Sequence, residues 1–435
     1  MSEELQLDQT LRKIEFLFRY GGINVKSGKQ NVSNRFRSRI IFLLNLLWAI
    51  FDLSGAIYWF IDGIRKKEEF LQLTYIAPCI SITTLSIVKS VFLVIHEKQV
   101  HKLLENLRKM EKREKERVHS SEKDKIIKRE TKFLNQILIL FNIVCMVVIL
   151  GFTLSPLVII VINYYQTAKL ELILPFLILY PFDPFQIKVW PFVYLHQFWS
   201  ECVNYFYICS ADLLFFACCT HVRIQFRLLR YNIENIFTIK RNTNQKFVEN
   251  EDFNKNFESL MKWHQDLIKS ANILEIVYSK STLLNFVLSS LVICLTGFNT
   301  VTVKSDLSFI AIFLCFLFMS LMQVFFFCYF ADMLTSSSTD ISKAVYNSRW
   351  YMADAKTCKK LLIVLTRSQS PCKITASGFA DVDLKSFMRV RVSFTLLYTV
   401  FTIINLNLYI HYLEKKNYAY KEFYQLSGSH STSFA

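Results

Sequence analysis

The stretch FADMLTSSSTDISKAVYNSRWY, residues 330–351, marks the point where an apolar run of membrane length becomes a polar segment. Asp332 and the Ser/Thr ladder after it predict that a helix leaves the lipid here. The segment that follows has two helical faces. The polar face carries Asp340, Lys343 and Asn347, and the apolar face carries Ile341, Val345 and Met352. Since an apolar helix face needs a partner, we expect another copy of the chain or another subunit to cover it.

Hydrophobic residues make up 52% of the 435-residue chain, which holds 40 Phe but only 9 Gly and 7 Pro. They fall into blocks longer than a buried core helix needs, and about 20 apolar residues cross a bilayer. Seven blocks reach this length: 40–61, 71–95, 133–162, 198–222, 273–303, 307–334 and 387–413. No alternating, turn-punctuated pattern indicates a β-barrel. The sequence therefore predicts an all-α integral membrane bundle of seven helices.

Lys and Arg are unevenly distributed between the segments that connect these blocks. Segments 1–39, 96–132, 223–272 and 335–386 hold 38 of them, whereas the segments of the opposite side hold 9. Because positive residues stay on the cytoplasmic side, we expect a cytoplasmic N-terminus and an extracellular C-terminus. The excess also accounts for the formal net charge of +16 without a nucleic-acid partner, since basic loops face anionic membrane lipids. A G-protein-coupled receptor, whose N-terminus lies outside, would need the reverse distribution.

The segment 96–132 is almost uniformly charged, but it contains one apolar stripe. Its members recur with helical spacing and are Val100, Leu103, Leu104, Leu107 and Met110. We therefore expect this segment to continue the second span as a cytoplasmic amphipathic helix.

The segment YPFDPFQIKVWPFVYLHQFW, residues 180–199, mixes proline with aromatic residues and carries few charges. Its three prolines argue against a long helix, and its aromatic side chains suit the headgroup zone of a membrane. We expect this segment to fold over the outer mouth of the bundle, and we favour a structural lid over direct contact with a ligand.

Ionisable side chains within the spans are costly and are therefore candidates for function. Lys89, Arg389 and Arg391 lie near the predicted cytoplasmic ends, where we expect them to extend towards the headgroups. Asp52 and Asp212 lie deeper. We expect each of these two aspartates to be protonated or paired, with an ion pathway as the alternative.

No motif indicates an enzyme. HEKQVH, residues 96–101, departs from the zinc-protease pattern HExxH by one residue, so its second imidazole turns about 140° away from the first. The sequence has neither a CxxC pair nor a GxSxG elbow. Gly and Pro are scarce within the spans, unlike in the broken helices of secondary transporters. We therefore predict no cofactor and no metal site, which leaves a receptor or a channel.

Three stretches of the C-terminal third resemble the signature of insect odorant receptors. They are FFFCYFADMLTSSSTDISKAVYNSRWY (325–351), LLIVLTRSQSPCKITASGF (361–379) and SFTLLYTVF (393–401). The segment 180–199 resembles the second outer loop of moth members of that family. The inverted topology of the family agrees with the Lys/Arg distribution.

The resemblance implies an odorant-gated, non-selective cation channel. Members assemble as tetramers with the odorant receptor co-receptor, their cytoplasmic helices form the intersubunit anchor, and the seventh helix of each subunit lines one central pore. Matching SFTLLYTV to the family's pore segment places Leu396 and Val400, which share a helical face, at a hydrophobic gate. From composition alone, the polar side of this helix could equally line water or pack in the ordinary way.

The resemblance also implies an odorant pocket among spans two, three, four and six, in the outer half of the bilayer. The matching residues are Tyr75, Ile76, Cys79, Phe152, Tyr205, Phe206, Phe313 and Phe316. An apolar, aromatic cavity would bind a volatile mainly by burial, at about 25 cal/mol per Å².

We therefore expect five regions along the chain. These are a cytoplasmic N-terminal segment (1–39), a six-helix ligand-binding region (40–334), cytoplasmic anchor helices (335–386), a pore-lining seventh helix (387–413) and an extracellular tail (414–435). The resemblance implies a multi-pass protein of the plasma membrane, in the dendrite of an olfactory neuron. A gustatory-receptor-like channel is the alternative, although the last helix lacks a TYxxxxxQF-like motif, and a G-protein-coupled receptor is a weaker one.

Overall fold

The computed structural model describes residues 4–25, 32–66, 70–117, 120–237, 251–302, 307–389 and 399. The backbone of these ranges is almost entirely helical, which confirms the predicted all-α fold. The α-helices in the described ranges are α1 (Gln6–Lys13), α2 (Glu15–Gly21), α3 (Val32–Lys66), α4 (Phe70–Ile95), α5 (Glu97–Lys115), α6 (Ser121–Thr167), α7 (Trp190–Glu234), α8 (Glu251–Thr302), α9 (Leu307–Asn347) and α10 (Ala355–Ser368).

Within the described ranges, α3, α4, α6, α7, α8 and α9 are the six helices long and apolar enough to cross a membrane. They coincide with the first six predicted spans. The seventh, 387–413, lies outside the described residues except for 387–389 and 399. We call the end of the bundle that holds α5 and α10 the basic end, and the end that holds residues 168–189 the loop end.

Helix α7 is the central helix of the bundle. Of its most apolar stretch, 83% is buried, compared with 28% of the corresponding stretches of α3 and α6. Helices α3 and α6 therefore present long apolar surfaces outwards, with leucines such as Leu43 and Leu47 of α3 exposed. Such surfaces suit lipid, because a monomeric protein in water rarely exposes large contiguous apolar patches.

A polar network inside the bundle connects α4, α7 and α9. Lys89 Nζ lies 2.7 Å from Asp212 Oδ1, and Gln323 Nε2 donates a hydrogen bond of 2.6 Å to Asp212 Oδ2. The Lys89 ammonium also lies 4.8 Å from the centre of the Phe327 ring. Lys89 is only 3% exposed and Asp212 is fully buried. The prediction that Lys89 extends to the headgroups is therefore wrong, because its charge is paired within the core. The pairing of Asp212 agrees with the expectation that this aspartate is protonated or paired.

The short helices α1 and α2 pack against the basic half of α7 and against α3. Leu7 and Leu17 are fully buried there, and Asn45 of α3 donates a hydrogen bond of 2.9 Å to the Tyr20 carbonyl. Gly22 ends α2 with φ of +70°, and a Cβ at this position would lie 2.3 Å from the backbone nitrogen of Phe42. Only glycine fits both the left-handed conformation and the close approach of α3.

Helix α5 buries the predicted apolar stripe, since Val100, Leu103, Leu104, Leu107 and Met110 all lie in the core. However, α5 is not a continuation of α4. The backbone leaves helical geometry at His96, with φ of −94° and ψ of 17°, and α5 then starts at Glu97. The break turns the stripe towards α7 and α8, which α5 contacts at the basic end.

Helix α9 continues through the Ser/Thr ladder instead of ending there. The ladder hydroxyls bond back to the helix, as in Ser337 Oγ to the Leu334 carbonyl at 2.9 Å. Ile341 and Val345 are buried within this chain, so the expectation that another subunit covers them is wrong. Met352 does not share their face, because it lies in the separate 3₁₀ turn Trp350–Met352 and is exposed.

The segment between α9 and the seventh span is held by side-chain caps. Asp354 accepts hydrogen bonds from Thr357 and Lys356 at the start of α10, and these bonds hold the pKa of Asp354 below its ordinary value. Further on, Asp383 Oδ1 accepts a hydrogen bond of 2.7 Å from the Ser386 nitrogen, and residues 384–389 are helical. A capped turn therefore precedes the predicted seventh span.

We expect Lys89→Met to lower the free energy of unfolding by about 3–5 kcal/mol, because it leaves Asp212 buried without its cation. The double variant Lys89→Met/Asp212→Leu should recover most of this loss, since an apolar pair of similar volume is often neutral or stabilising. Thermal unfolding of the purified protein measures both effects.

Lys66→Met provides a matched control. Lys66 pairs with Asp62 on the exposed surface of α3, so its loss should change the free energy of unfolding by less than about 1 kcal/mol. A Lys89→Met variant as stable as the unmodified protein would contradict the structural role of the pair.

Candidate functional site

The loop-end half of the bundle encloses a cavity of about 130 Å³. Five helices line it: α3, α4, α6, α7 and α9. Phe176 and Ile178 of the segment 168–189 complete its wall. Most of the lining side chains are apolar. The cavity therefore has the composition of a site for a small, mainly apolar molecule.

Five of the eight pocket residues predicted from the sequence line this one cavity. They are Ile76, Cys79, Phe152, Tyr205 and Phe316. Phe206 instead stacks on Tyr20 of α2, with ring centres 5.5 Å apart, and Phe313 is buried outside the lining. The side chain of Tyr75 and the gate residues Leu396 and Val400 lie outside the described part of the chain.

Aromatic rings form one side of the cavity. The Phe152 ring lies 4.5 Å from the Phe316 ring in an edge-to-face arrangement and stacks on Phe176 at 5.6 Å. Edge-to-face and offset-stacked pairs stabilise beyond their buried area, so the three rings hold one another in place. They connect α6, α9 and the segment 168–189 across the cavity wall.

Backbone contacts attach the segment 168–189 to the bundle. The Leu179 nitrogen donates to the Gly55 carbonyl at 3.4 Å, and Gln197 bonds both the nitrogen and the carbonyl of Phe176. A Cβ on Gly55 would lie 2.6 Å from the Ile178 side chain, so glycine permits this close approach. The segment therefore closes the cavity by direct packing on α3 and α7.

The prediction that residues 180–199 do not form a long helix is correct only for the first half of this segment. Helix α7 begins at Trp190, with Pro191 in its first turn. Proline fits the first turn of a helix because the nitrogen at that position has no helical acceptor to lose. The prediction treated every proline as a helix breaker and therefore placed the start of this helix too late.

The cavity has a small polar region in an otherwise apolar wall. Tyr205 and Asn204 in this region already bond to protein atoms. Tyr205 OH donates to Asn142 Oδ1 at 3.0 Å, and Asn204 bonds Ser86 and Thr83 at 2.5 and 3.3 Å. Two carboxyl groups, Asp52 and Glu201, also line the cavity. Both are buried, with exposed fractions of 5% and 8%.

The sequence analysis missed the contributions of α3 and of the segment 168–189, and it missed Glu201. A signal for Glu201 was present, because it is an acidic residue within the predicted span 198–222. Proline is a second signal. Pro78 lies inside α4 next to Cys79, Pro156 lies inside α6 one turn after Phe152, and each removes one backbone hydrogen bond of its helix.

Comparison with known proteins identifies the family. A family model described as 7tm Odorant receptor matches residues 69–396. The putative odorant receptor 92a of Drosophila melanogaster is 27% identical over 83% of this chain and 86% of its own length, and odorant receptor 67c of the same species is 24% identical over 77% and 81%.

The fold is also similar to a solved structure, that of the insect olfactory receptor OR5 from Machilis hrabei in complex with eugenol. The two chains align with a TM-score of 0.76 at 17% identity, over 92% of this chain and 98% of the other. Together with a family match that runs through most of the sequence, this places the present chain in the 7tm odorant receptor family, as a multi-pass membrane protein.

Proposed function

We propose that this protein is the odorant-binding subunit of a heteromeric, ligand-gated, non-selective cation channel. The observation that carries the proposal is the apolar cavity in the loop-end half of a bundle with the odorant receptor fold. The family match favours this function over the gustatory receptor and the G-protein-coupled receptor that the sequence left open.

A small volatile molecule is the proposed ligand. A cavity of about 150 Å³ holds benzene in another protein, so one of about 130 Å³ suits a molecule of similar size. Burial of its apolar surface would supply most of the affinity, at about 25 cal/mol per Å². Eugenol, bound by the similar Machilis receptor, belongs to the same class of small aromatic molecules.

The proposed orientation places the basic end of the bundle in the cytoplasm and the loop end outside. The concentration of Lys and Arg in the segments of the basic end supports this orientation. A volatile arriving from outside would then reach the cavity through the outer half of the membrane or past the segment 168–189. The proposed location is the plasma membrane of an olfactory neuron dendrite.

The proposed partner is the odorant receptor co-receptor, in a heterotetramer joined through the anchor segment 335–386. This segment presents an apolar patch beyond the membrane-spanning helices, with exposed side chains on and beside α10. They are Tyr346, Trp350, Tyr351, Leu362 and Ile363. Exposed patches of this kind mark protein interaction sites, which supports the anchor region as the subunit contact.

The seventh span would line the shared pore, with Leu396 and Val400 as its hydrophobic gate. Residues four apart share a helical face, and a narrow apolar ring closes a pore by excluding water. The capped turn at Asp383 supports a helix that enters the membrane at this point.

Co-expression with the co-receptor should produce cation currents in response to at least one member of a chemically diverse panel of volatiles. Cells that express this chain alone should give none, since the proposed pore needs the partner. Whole-cell recording measures both. If no member of the panel evokes a current although both subunits are labelled at the cell surface, the channel function is contradicted.

For the gate, Leu396→Ala and Val400→Ala should each raise the resting current or change the ion permeability ratio, because a smaller side chain widens an apolar constriction. Leu397→Ala is the matched control, since the next residue along a helix points about 100° away. If all three variants have the same resting current and ion permeability ratio as the unmodified channel, the assignment of Leu396 and Val400 to the gate is contradicted.

For the cavity, Phe152→Leu should change the preference for ligand size. Loss of the ring enlarges the wall beside Phe316, so the response to a naphthalene-sized volatile should gain about tenfold relative to a benzene-sized one. Phe141→Leu removes an equally buried ring that does not line the cavity. It should leave the ratio of half-maximal concentrations unchanged, and a matching shift in both variants would contradict the assignment.

A further inference from the structure

Asp52 is a buried carboxyl group whose hydrogen-bonding capacity is unused. Its side chain lines the cavity, and the residue is only 5% exposed. Both carboxyl oxygens are buried, and neither has a hydrogen-bond partner among the described residues. Burying such a group without partners costs several kcal/mol, so a partner that enters from the cavity would bring a large gain.

The side chains of His196 and Ser200 lie next to Asp52, but neither completes a hydrogen bond with its carboxyl group. His196 Nδ1 lies 3.5 Å from Asp52 Oδ1, but the same nitrogen also faces Tyr180 OH at 3.5 Å, and its ring stacks on Trp48. The Ser200 hydroxyl lies close to Asp52 without completing a hydrogen bond. The imidazole is therefore held by its aromatic neighbours at the margin of the site.

Glu201 provides a second acceptor on the same cavity wall. Its Oε2 bonds the Thr153 hydroxyl at 2.8 Å, and this hydroxyl also lies 2.9 Å from the Ile149 carbonyl. Among the described residues, Glu201 Oε1 has no hydrogen-bond partner. The hydroxyl and amide donors of Tyr205 and Asn204 are already engaged with other protein atoms. Apart from the Ser200 hydroxyl beside Asp52, the polar groups that the cavity offers are therefore mainly acceptor oxygens.

We propose that the cavity binds a volatile amine, whose ammonium group is held by Asp52 and Glu201 while its carbon chain fills the apolar remainder. An ammonium group supplies up to three N–H donors and a positive charge, which is what two buried carboxyl groups lack. An alcohol supplies one donor and no charge, and an aldehyde supplies neither. The inference rests on the proposed function only in taking this cavity as the ligand site.

The size of the cavity restricts the amine to a small one. About 130 Å³ accommodates a molecule of roughly benzene size, so a short alkyl or arylalkyl chain fits. The aromatic side formed by Phe152, Phe176 and Phe316 would receive the carbon chain, with the two carboxyl groups binding the head group. Recognition would then depend on both shape and charge.

The test compares hexylamine, 1-hexanol and hexanal, which have the same number of non-hydrogen atoms, by ligand-dependent thermal stabilisation of the purified full-length receptor. Hexylamine should bind at least about tenfold more tightly than hexanal, with 1-hexanol between them. Asp52→Asn should weaken hexylamine binding by at least about tenfold and change hexanal binding by less than about twofold. Glu201→Gln should change the affinities in the same direction.

Two controls separate recognition from folding. Without ligand, Asp52→Asn should be at least as stable as the unmodified receptor, because it replaces an unpaired buried acid by a neutral group of the same shape. Asp62→Asn makes the same chemical change on the same helix, at a half-buried position outside the cavity that is paired with Lys66, and should leave the affinity for hexylamine unchanged.

Hexanal binding as tight as hexylamine binding, or Asp52→Asn and Glu201→Gln variants that keep the affinity for hexylamine, would overturn the amine site. A current evoked by a volatile without an amino group would leave the channel function intact in that case. Conversely, tight hexylamine binding without any current in the presence of the co-receptor would support the amine site and contradict the channel function. The two proposals can therefore fail separately.

Discussion

The buried ion pair between Lys89 and Asp212 fixes the arrangement of the bundle. Charges at membrane depth must be paired, so α4 and α7 can pack only in the register that brings these two side chains to 2.7 Å. Gln323 of α9 completes the network and adds the third helix to the same level. Cys79 and Phe316, which line the cavity, lie ten and seven residues from Lys89 and Gln323 on these helices. The register set by the ion pair thus determines which side chains meet in the cavity.

Two aspartates within the spans illustrate how similar residues acquire different roles. Asp212 is saturated by a lysine and an amide on neighbouring helices, and it contributes to a fixed core. Asp52 faces a cavity where no described group bonds its oxygens. A saturated buried acid specifies packing, whereas an unsaturated one at a cavity wall is a candidate for recognition of a ligand. Their surroundings, and not their residue type, distinguish the two.

The sequence predicted the helices well because lipid imposes length and composition on each of them separately. Through resemblance to a family, it also named four of the five helices that line the cavity, and it missed α3. It failed where the outcome depended on contacts between distant segments. The pairing of Lys89, the burial of Ile341 by its own chain and the packing of Phe176 beside Phe152 are all long-range effects. The late placement of the start of α7 was a local error, since Pro191 sits where proline favours a helix.

Helix α9 provides a physical connection between the proposed ligand site and the proposed pore. Phe316 and Met319 line the cavity, and Phe325, about two turns further along the same helix, packs edge-to-face on Phe387 with ring centres 5.4 Å apart. Phe387 lies in the helical turn 384–389, where the predicted seventh span begins. A ligand couples to a gate only if it binds the two states of the channel with different affinities. A displacement of α9 would meet this requirement under the proposed function, because α9 contacts the cavity through Phe316 and the start of the proposed pore helix through Phe387.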